Sequence, residues 1–134
     1  MHRLFLDANI LFSAAYSPNS GLAKFWKLPN VVLCSSRYAV EEARLNLATA
    51  AQRHRLQSLT PKLELVDAIV SSGTLLSEIS LPEKDRPILL AAVAARATHL
   101  ITGDLRHFGP FFGKSVRGIL ILTPSTYLKL ASNR

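Results

Sequence analysis

The sequence predicts an α/β fold: a mainly parallel sheet of about five strands with helices on both faces, a three-layer α/β/α sandwich. Three observations carry this. Short apolar runs alternate along the chain with longer stretches of helical pattern, the order expected of parallel strands joined by helical crossovers. Hydrophobic residues make up 49% of the chain and charged residues 19%, which places it among globular proteins. No stretch reads as a linker, a repeat or a low-complexity segment, and 134 residues suit one domain spanning 1–134.

The elements follow in order. "RLFL" at 3–6 reads as a first strand, and Asn9 can open a short helix after it. "SPNSGLAKFWKLP" reads as a turn and a second helix that ends before Pro29. "VVLC" at 31–34 is a second strand. Ser35 or Ser36 then caps one long helix through "RYAVEEARLNLATAAQRH". Thr60-Pro61 places a cap before a proline and predicts a helix to about residue 71. "TLLSEIS" reads as a short extended segment. Asp85, with Pro87 in the first turn, opens a helix that is apolar almost all round and so is buried on most sides. That helix leads into a strand at 99–101, "HLI". A strand "ILIL" at 119–122 and a last helix from Pro124 complete the chain. Right-handed crossovers are expected throughout.

Charge and cysteine content bound the function. Sixteen Lys and Arg against nine Asp and Glu give a net charge of +7, which suits a polyanionic partner such as nucleic acid. The basic residues are scattered, so no tail or localisation signal stands out. Cys34 is alone, which excludes an internal disulfide and a cysteine metal set. The longest apolar runs are too short to span a bilayer, and Asp7 interrupts any secretory signal. A cytoplasmic protein with no membrane association is the expectation. No "GxSxG" elbow or phosphate-binding glycine loop is present.

The nine acids are the informative residues. Asp7 follows the strand at 3–6, and Asp104 follows the strand at 99–101. Glu42 lies in the second turn of the helix after the strand at 31–34, and Asp85 starts the helix leading into 99–101. In a parallel sheet with helical crossovers, helix starts lie near the carboxyl ends of strands. All four acids can therefore gather at the edge where α/β sheets bind ligands. The other five, Glu41, Glu64, Asp67, Glu78 and Glu83, fall on helix faces or loops. Singly, each site acid has a plainer reading: Asp85 as a cap, Asp104 as part of a turn, Glu42 as a solvated helix residue. Asp7 is harder to explain so, because a strand end in mid-sheet is not freely solvated. Four carboxylates in one place repel one another unless a cation joins them, and a hard divalent ion prefers such oxygen ligands.

The pattern also resembles a known family, the PIN domains, which are metal-dependent nucleases with a Rossmann-like fold. The likeness lies in "LFLDANILFSA", "SSRYAVEEARLNL", "DRPILLAAVAARATHLITGD", "HFG" and "ILTPSTYL", in the family's order from residue 3 to about 128. "ITGD", then "HFG", then "ILTP" is its most specific part. The resemblance implies a PIN-like sandwich in which Asp7, Glu42, Asp85 and Asp104 hold Mg2+ or Mn2+ and act in catalysis. Asn9 matches a polar residue that commonly follows the first Asp, and Thr102 the Thr or Ser before the last; both are supporting residues around the acids. One departure stands at Thr98, where many relatives carry another Asp.

The implied reaction is hydrolysis of RNA phosphodiester bonds by in-line attack, leaving 5′-phosphate and 3′-hydroxyl ends. The implied context is a free-standing ribonuclease or the toxin of a toxin–antitoxin pair, with a small antitoxin partner and a homodimeric state. The competing expectation is a catalytically silent PIN-like module that binds nucleic acid or scaffolds other proteins.

Overall fold

The structure is a computed structural model that describes residues 1–66 and 86–132. A six-stranded sheet forms its middle, from β1 (His2–Leu6), β2 (Val31–Ser36), β3 (Glu64–Val66), β4 (His99–Ile101), β5 (Ser115–Val116) and β6 (Ile119–Leu122). The spatial order is β3-β2-β1-β4-β6-β5, parallel except for the β5–β6 pair. The α/β class and the mainly parallel sheet are as the sequence predicts, with six strands rather than about five.

The central strands are apolar on both faces because helices cover both. Leu4, Phe5 and Leu6 on β1 are fully buried, as are Leu100 and Ile101 on β4. Helix α1 (Ala8–Tyr16) packs against both α2 (Arg37–Asn46) and α3 (Ala50–Leu59), and α4 (Arg86–Ala94) packs against β2. The order runs one way from β1 through β2 to β3, and the other way from β1 through β4 to β6. Right-handed crossovers therefore send the two halves to opposite faces of the sheet. Between β1 and β4 the connections diverge, and in open α/β sheets such a switch point opens a crevice at the strands' carboxyl ends. Asp7 follows β1 there, and Thr102 to Asp104 follow β4. Helices α5 (Leu105–Phe108) and α6 (Pro124–Ser132) flank β6 in sequence.

Several local expectations change. The helix predicted from residue 37 to 54 is two helices. Thr49 caps α3 and Gln52 bonds back to the Thr49 and Ala48 amides, a capping box that starts a new helix. The helix predicted from Pro61 is a single 3-10 turn, Thr60–Lys62, followed by β3. Pairing of Cys34, Ser35 and Ser36 with Glu64, Leu65 and Val66 overrides the local cap signal. The segment Gly21–Lys27 is a 3-10 helix capped by the Ser20 hydroxyl. Strand β5 was not foreseen. It folds back on β6 through Arg117 and Gly118, whose φ values of 54° and 79° give the two left-handed positions of a type I′ hairpin. The extended segment expected at "TLLSEIS" and the residue Asp85 lie outside the described residues. Among the described residues, no helix is long and apolar enough to cross a membrane.

Candidate metal and nucleic-acid site

Asp7 sits where β1 hands over to α1. Its backbone amide still donates to Ile101 O of β4 at 3.1 Å, so the strand pairing holds it in place. Asp7 rather than Asn9 is the N-cap of α1, and its Oδ1 accepts from Ala8 N at 2.7 Å. Oδ2 accepts from the Thr102 hydroxyl at 2.7 Å and from Asn9 Nδ2 at 3.1 Å. The side chain is only 5% exposed. Three donors thus offset the cost of burying a carboxylate at this point.

Thr102 and Asn9 tie the two strand ends together. Thr102 is fully buried, and its amide donates to Leu122 O of β6 at 3.1 Å. Its hydroxyl donates to Asp7 and accepts from Asp104 N (3.1 Å) and Asn9 Nδ2 (3.3 Å). A hydroxyl offers one donor and two acceptor positions, and all are used. Asn9 Oδ1 accepts from Gly103 N at 2.9 Å, which closes the loop after β4 onto the first turn of α1. The two residues that sequence reasoning assigned as supporting are therefore the direct hydrogen-bond partners of Asp7.

A cleft of about 730 Å³ opens over this network. Asp7, Glu42 and Asp104 all line it, with Asn9 and Asn46 as further polar groups and Phe12, Leu22 and Ile88 as apolar wall. Glu42 comes from α2, whose start is fixed by Ser36 Oγ accepting from Ala39 N at 3.0 Å. The adjacent Glu41 is turned to an ion pair with Arg44 and does not line the cleft. Asp104 is half-buried at the head of α5, where its carbonyl accepts from Phe108 N. Among the described residues, no Lys, Arg or His lines the cleft, although the chain carries a net charge of +7.

The described part of the site fits a hard divalent cation in its chemistry. Every polar group that lines it offers oxygen, from carboxylates and amide side chains. Among the described residues no three His, Cys, Asp or Glu side chains converge closely enough to hold an ion unaided.

No family model matches the chain, and no curated protein sequence matches it. Solved structures do match. A chain of VapBC2 from Rickettsia felis, bound to a DNA fragment from its promoter, superposes with a TM-score of 0.65 over 90% of this chain and 98% of that one, at 16% identity. A chain of a toxin–antitoxin complex from Klebsiella pneumoniae gives 0.63 over 90% and 97%, at 19% identity. The fold is PIN-like.

The PIN-like frame accounts for the spacing of the acids along the chain. Asp7 and Asp104 are 97 residues apart in sequence, yet β1 and β4 are neighbours, so both fall at one edge. Of the four predicted acids, Asp7, Glu42 and Asp104 share the cleft, while Asp85 lies outside the described residues. Sequence reasoning missed Asn46. It stands one helical turn after Glu42, and that spacing was the only available signal.

Proposed function

We propose that this chain is a metal-dependent endoribonuclease and the toxin of a toxin–antitoxin pair, with a small antitoxin as its partner. One observation carries the catalytic reading. Among the described residues, the cleft at the switch point is lined by three carboxylates and by no basic side chain, on a protein of net charge +7. Such a cleft repels a phosphodiester by itself and admits one only with cations present. The likeness to chains of two toxin–antitoxin complexes supports the biological reading.

Asp7, Glu42 and Asp104, together with Asp85, would hold Mg2+ or Mn2+. Bound there, the metal supplies a water of lowered pKa and neutralises charge on the phosphate. Asp7 offers a carboxylate whose orientation Thr102 and Asn9 fix. Glu42 from α2 and Asp104 from the end of β4 would help to hold the metal or orient the attacking water. The apolar wall of Phe12, Leu22 and Ile88 limits bulk water near the reacting phosphate. The same proposal includes a cytoplasmic location and a homodimer.

The test is cleavage of a mixed panel of structured and single-stranded RNA and DNA with Mg2+, with Mn2+ and with EDTA. Asp7→Asn and Asp104→Asn run beside the parent chain. RNA cleavage is expected with either metal and not with EDTA, falling at least about a hundredfold in both variants. Cleavage that survives EDTA, or an Asp7→Asn variant as fast as the parent, overturns the mechanism. A folded protein that retains RNA and cleaves none moves the reading to a silent binding module.

A further inference from the structure

Helix α1 leads away from the acids and ends on an aromatic pair. From its cap at Asp7 it runs to Tyr16, its last residue. Phe12 lines the cleft, and Tyr16, four residues on, lies on the same face of the helix. The two rings are in contact, with centroids 5.5 Å apart and planes tilted by 37°. Tyr16 is nevertheless 55% exposed. Helix α3 pins this end of α1. Arg55 Nε donates to Ala15 O at 2.9 Å, its Nη2 donates to Tyr16 O at 3.1 Å, and Gln52 Nε2 reaches the same carbonyl at 3.3 Å. These bonds satisfy carbonyls that a helix end leaves open, and they hold a guanidinium beside the Tyr16 backbone. Among the described residues Arg55 forms no ion pair, and a guanidinium has more donors than these two bonds use.

We propose that Tyr16, backed by Phe12 and flanked by Arg55, is a stacking platform for an unpaired base of the RNA substrate, a few nucleotides from the scissile phosphate. The inference rests on the nuclease reading and adds to it a subsite for single-stranded substrate. The helix rise sets Tyr16 about 13 Å along α1 from Asp7, a span that an extended strand covers in a few nucleotides. The described lining of the acidic cleft holds no cation, so a strand whose phosphate sits there needs a hold outside it. An exposed aromatic ring beside an arginine supplies both parts of one: a face for a base and a charge for the backbone. The contact with Phe12 and the pinned helix end fix the ring before the substrate arrives, which lowers the cost of ordering it. Every base has a face, so the platform selects unpaired nucleotides over paired ones rather than one base over another.

The first test is fluorescence anisotropy in Mg2+ on the Asp7→Asn chain, where cleavage does not intervene. The probes are a short random-sequence single-stranded RNA, an abasic ribose-phosphate chain of the same length, and an RNA duplex. Tyr16→Ala and Tyr16→Leu should each weaken the single strand about tenfold, and the abasic chain and the duplex by less than about twofold. Tyr16→Phe keeps the ring and should stay within about twofold of the parent. Arg55→Gln should weaken the single strand and the abasic chain alike. Circular dichroism checks that each variant folds, and Tyr16→Leu keeps apolar bulk, which a mere packing role would accept. The second test is steady-state cleavage with Asp7 intact. Tyr16→Ala should raise KM about tenfold and change kcat by less than about twofold.

Equal weakening of RNA and abasic chain by Tyr16→Ala would mean that the ring acts through the fold, and would overturn the proposal. So would a Tyr16→Leu variant that binds like the parent, or a parent that holds the abasic chain as tightly as the RNA. The two readings fail separately. A chain that cleaves no RNA yet shows the Tyr16 pattern in binding loses the nuclease reading and keeps the platform. Metal-dependent cleavage that Tyr16→Ala leaves unchanged in KM keeps the nuclease reading and removes the platform.

Discussion

The Thr102 hydroxyl donates to Asp7 Oδ2 at 2.7 Å across 95 residues of sequence. That bond joins the carboxyl ends of β1 and β4, and it orients the most buried carboxylate of the cleft. Thr102→Val keeps the shape and removes the hydroxyl. It leaves Asp7 short of a donor and leaves Asp104 N and Asn9 Nδ2 each short of an acceptor. The expected loss is about 1–3 kcal/mol of unfolding free energy in urea, with Thr102→Ser recovering most of it. A Thr102→Val variant as stable as the parent would show that water replaces the hydroxyl.

Thr49 carries a second local prediction. Its hydroxyl accepts from Gln52 N at 3.1 Å, and Gln52 Oε1 accepts from Thr49 N at 3.0 Å. Thr49→Ala should cost about 0.5–2 kcal/mol, seen as a lowered Tm. Thr49→Ser, which can make the same bond, should stay near the parent.

Most of the fold was legible because its central strands are unbroken apolar runs. Residues 99–101 and 119–122 are strands at the predicted positions, and β1 and β2 extend the predicted runs by one and two residues. What escaped was set at longer range. Nothing local distinguishes Glu64–Val66 from the start of a helix after Thr60-Pro61; pairing with the end of β2 decides it. The Thr49-to-Gln52 spacing was readable as a capping box, but unbroken helical propensity on both sides hid it. β5 has two residues, too few for any periodicity. For the site, alternation of strands and helices was enough to bring Asp7, Glu42 and Asp104 to one edge. It was not enough to show that Asn9 bonds both Asp7 and the Gly103 loop, since that depends on the register of β1 against β4.

Cys34 is fully buried on β2, and burial pushes its thiol above the ordinary value, with Arg3 opposing more weakly. The native thiol should resist Ellman's reagent at about pH 8 and react once the chain is unfolded in guanidinium. Because the folded value stands above the unfolded one, the folded chain keeps this proton longer. Its stabilising contribution is complete below the ordinary value of 9.0 and is lost as pH rises through the folded value. A denaturation series on the alkaline side should show that decline, and Cys34→Ala should remove it.

Affinity for RNA, measured on Asp7→Asn so that cleavage does not intervene, should fall steeply with salt. A net charge of +7 implies phosphate contacts that release counterions on binding, with a log–log slope of about −0.7 per contact for single strands. A flat salt response would point to a ligand other than a polyanion.

Among the described residues, the sheet ends at both sides in very short strands, three residues at β3 and two at β5. Unpaired strand edges are templates for cross-β growth, and brevity is one of the ways proteins blunt them. At the β3 side Glu64 adds an exposed charge, held by Arg3 Nη2 at 2.9 Å. At the β5 side the type I′ hairpin turns the chain back after two residues, so an incoming strand finds only a couple of rungs. A chain that is nearly half hydrophobic thus offers little foothold for amyloid-like stacking at either described edge. Its encounters with other molecules are left to clefts and helix faces, where side chains rather than bare backbone choose the partner.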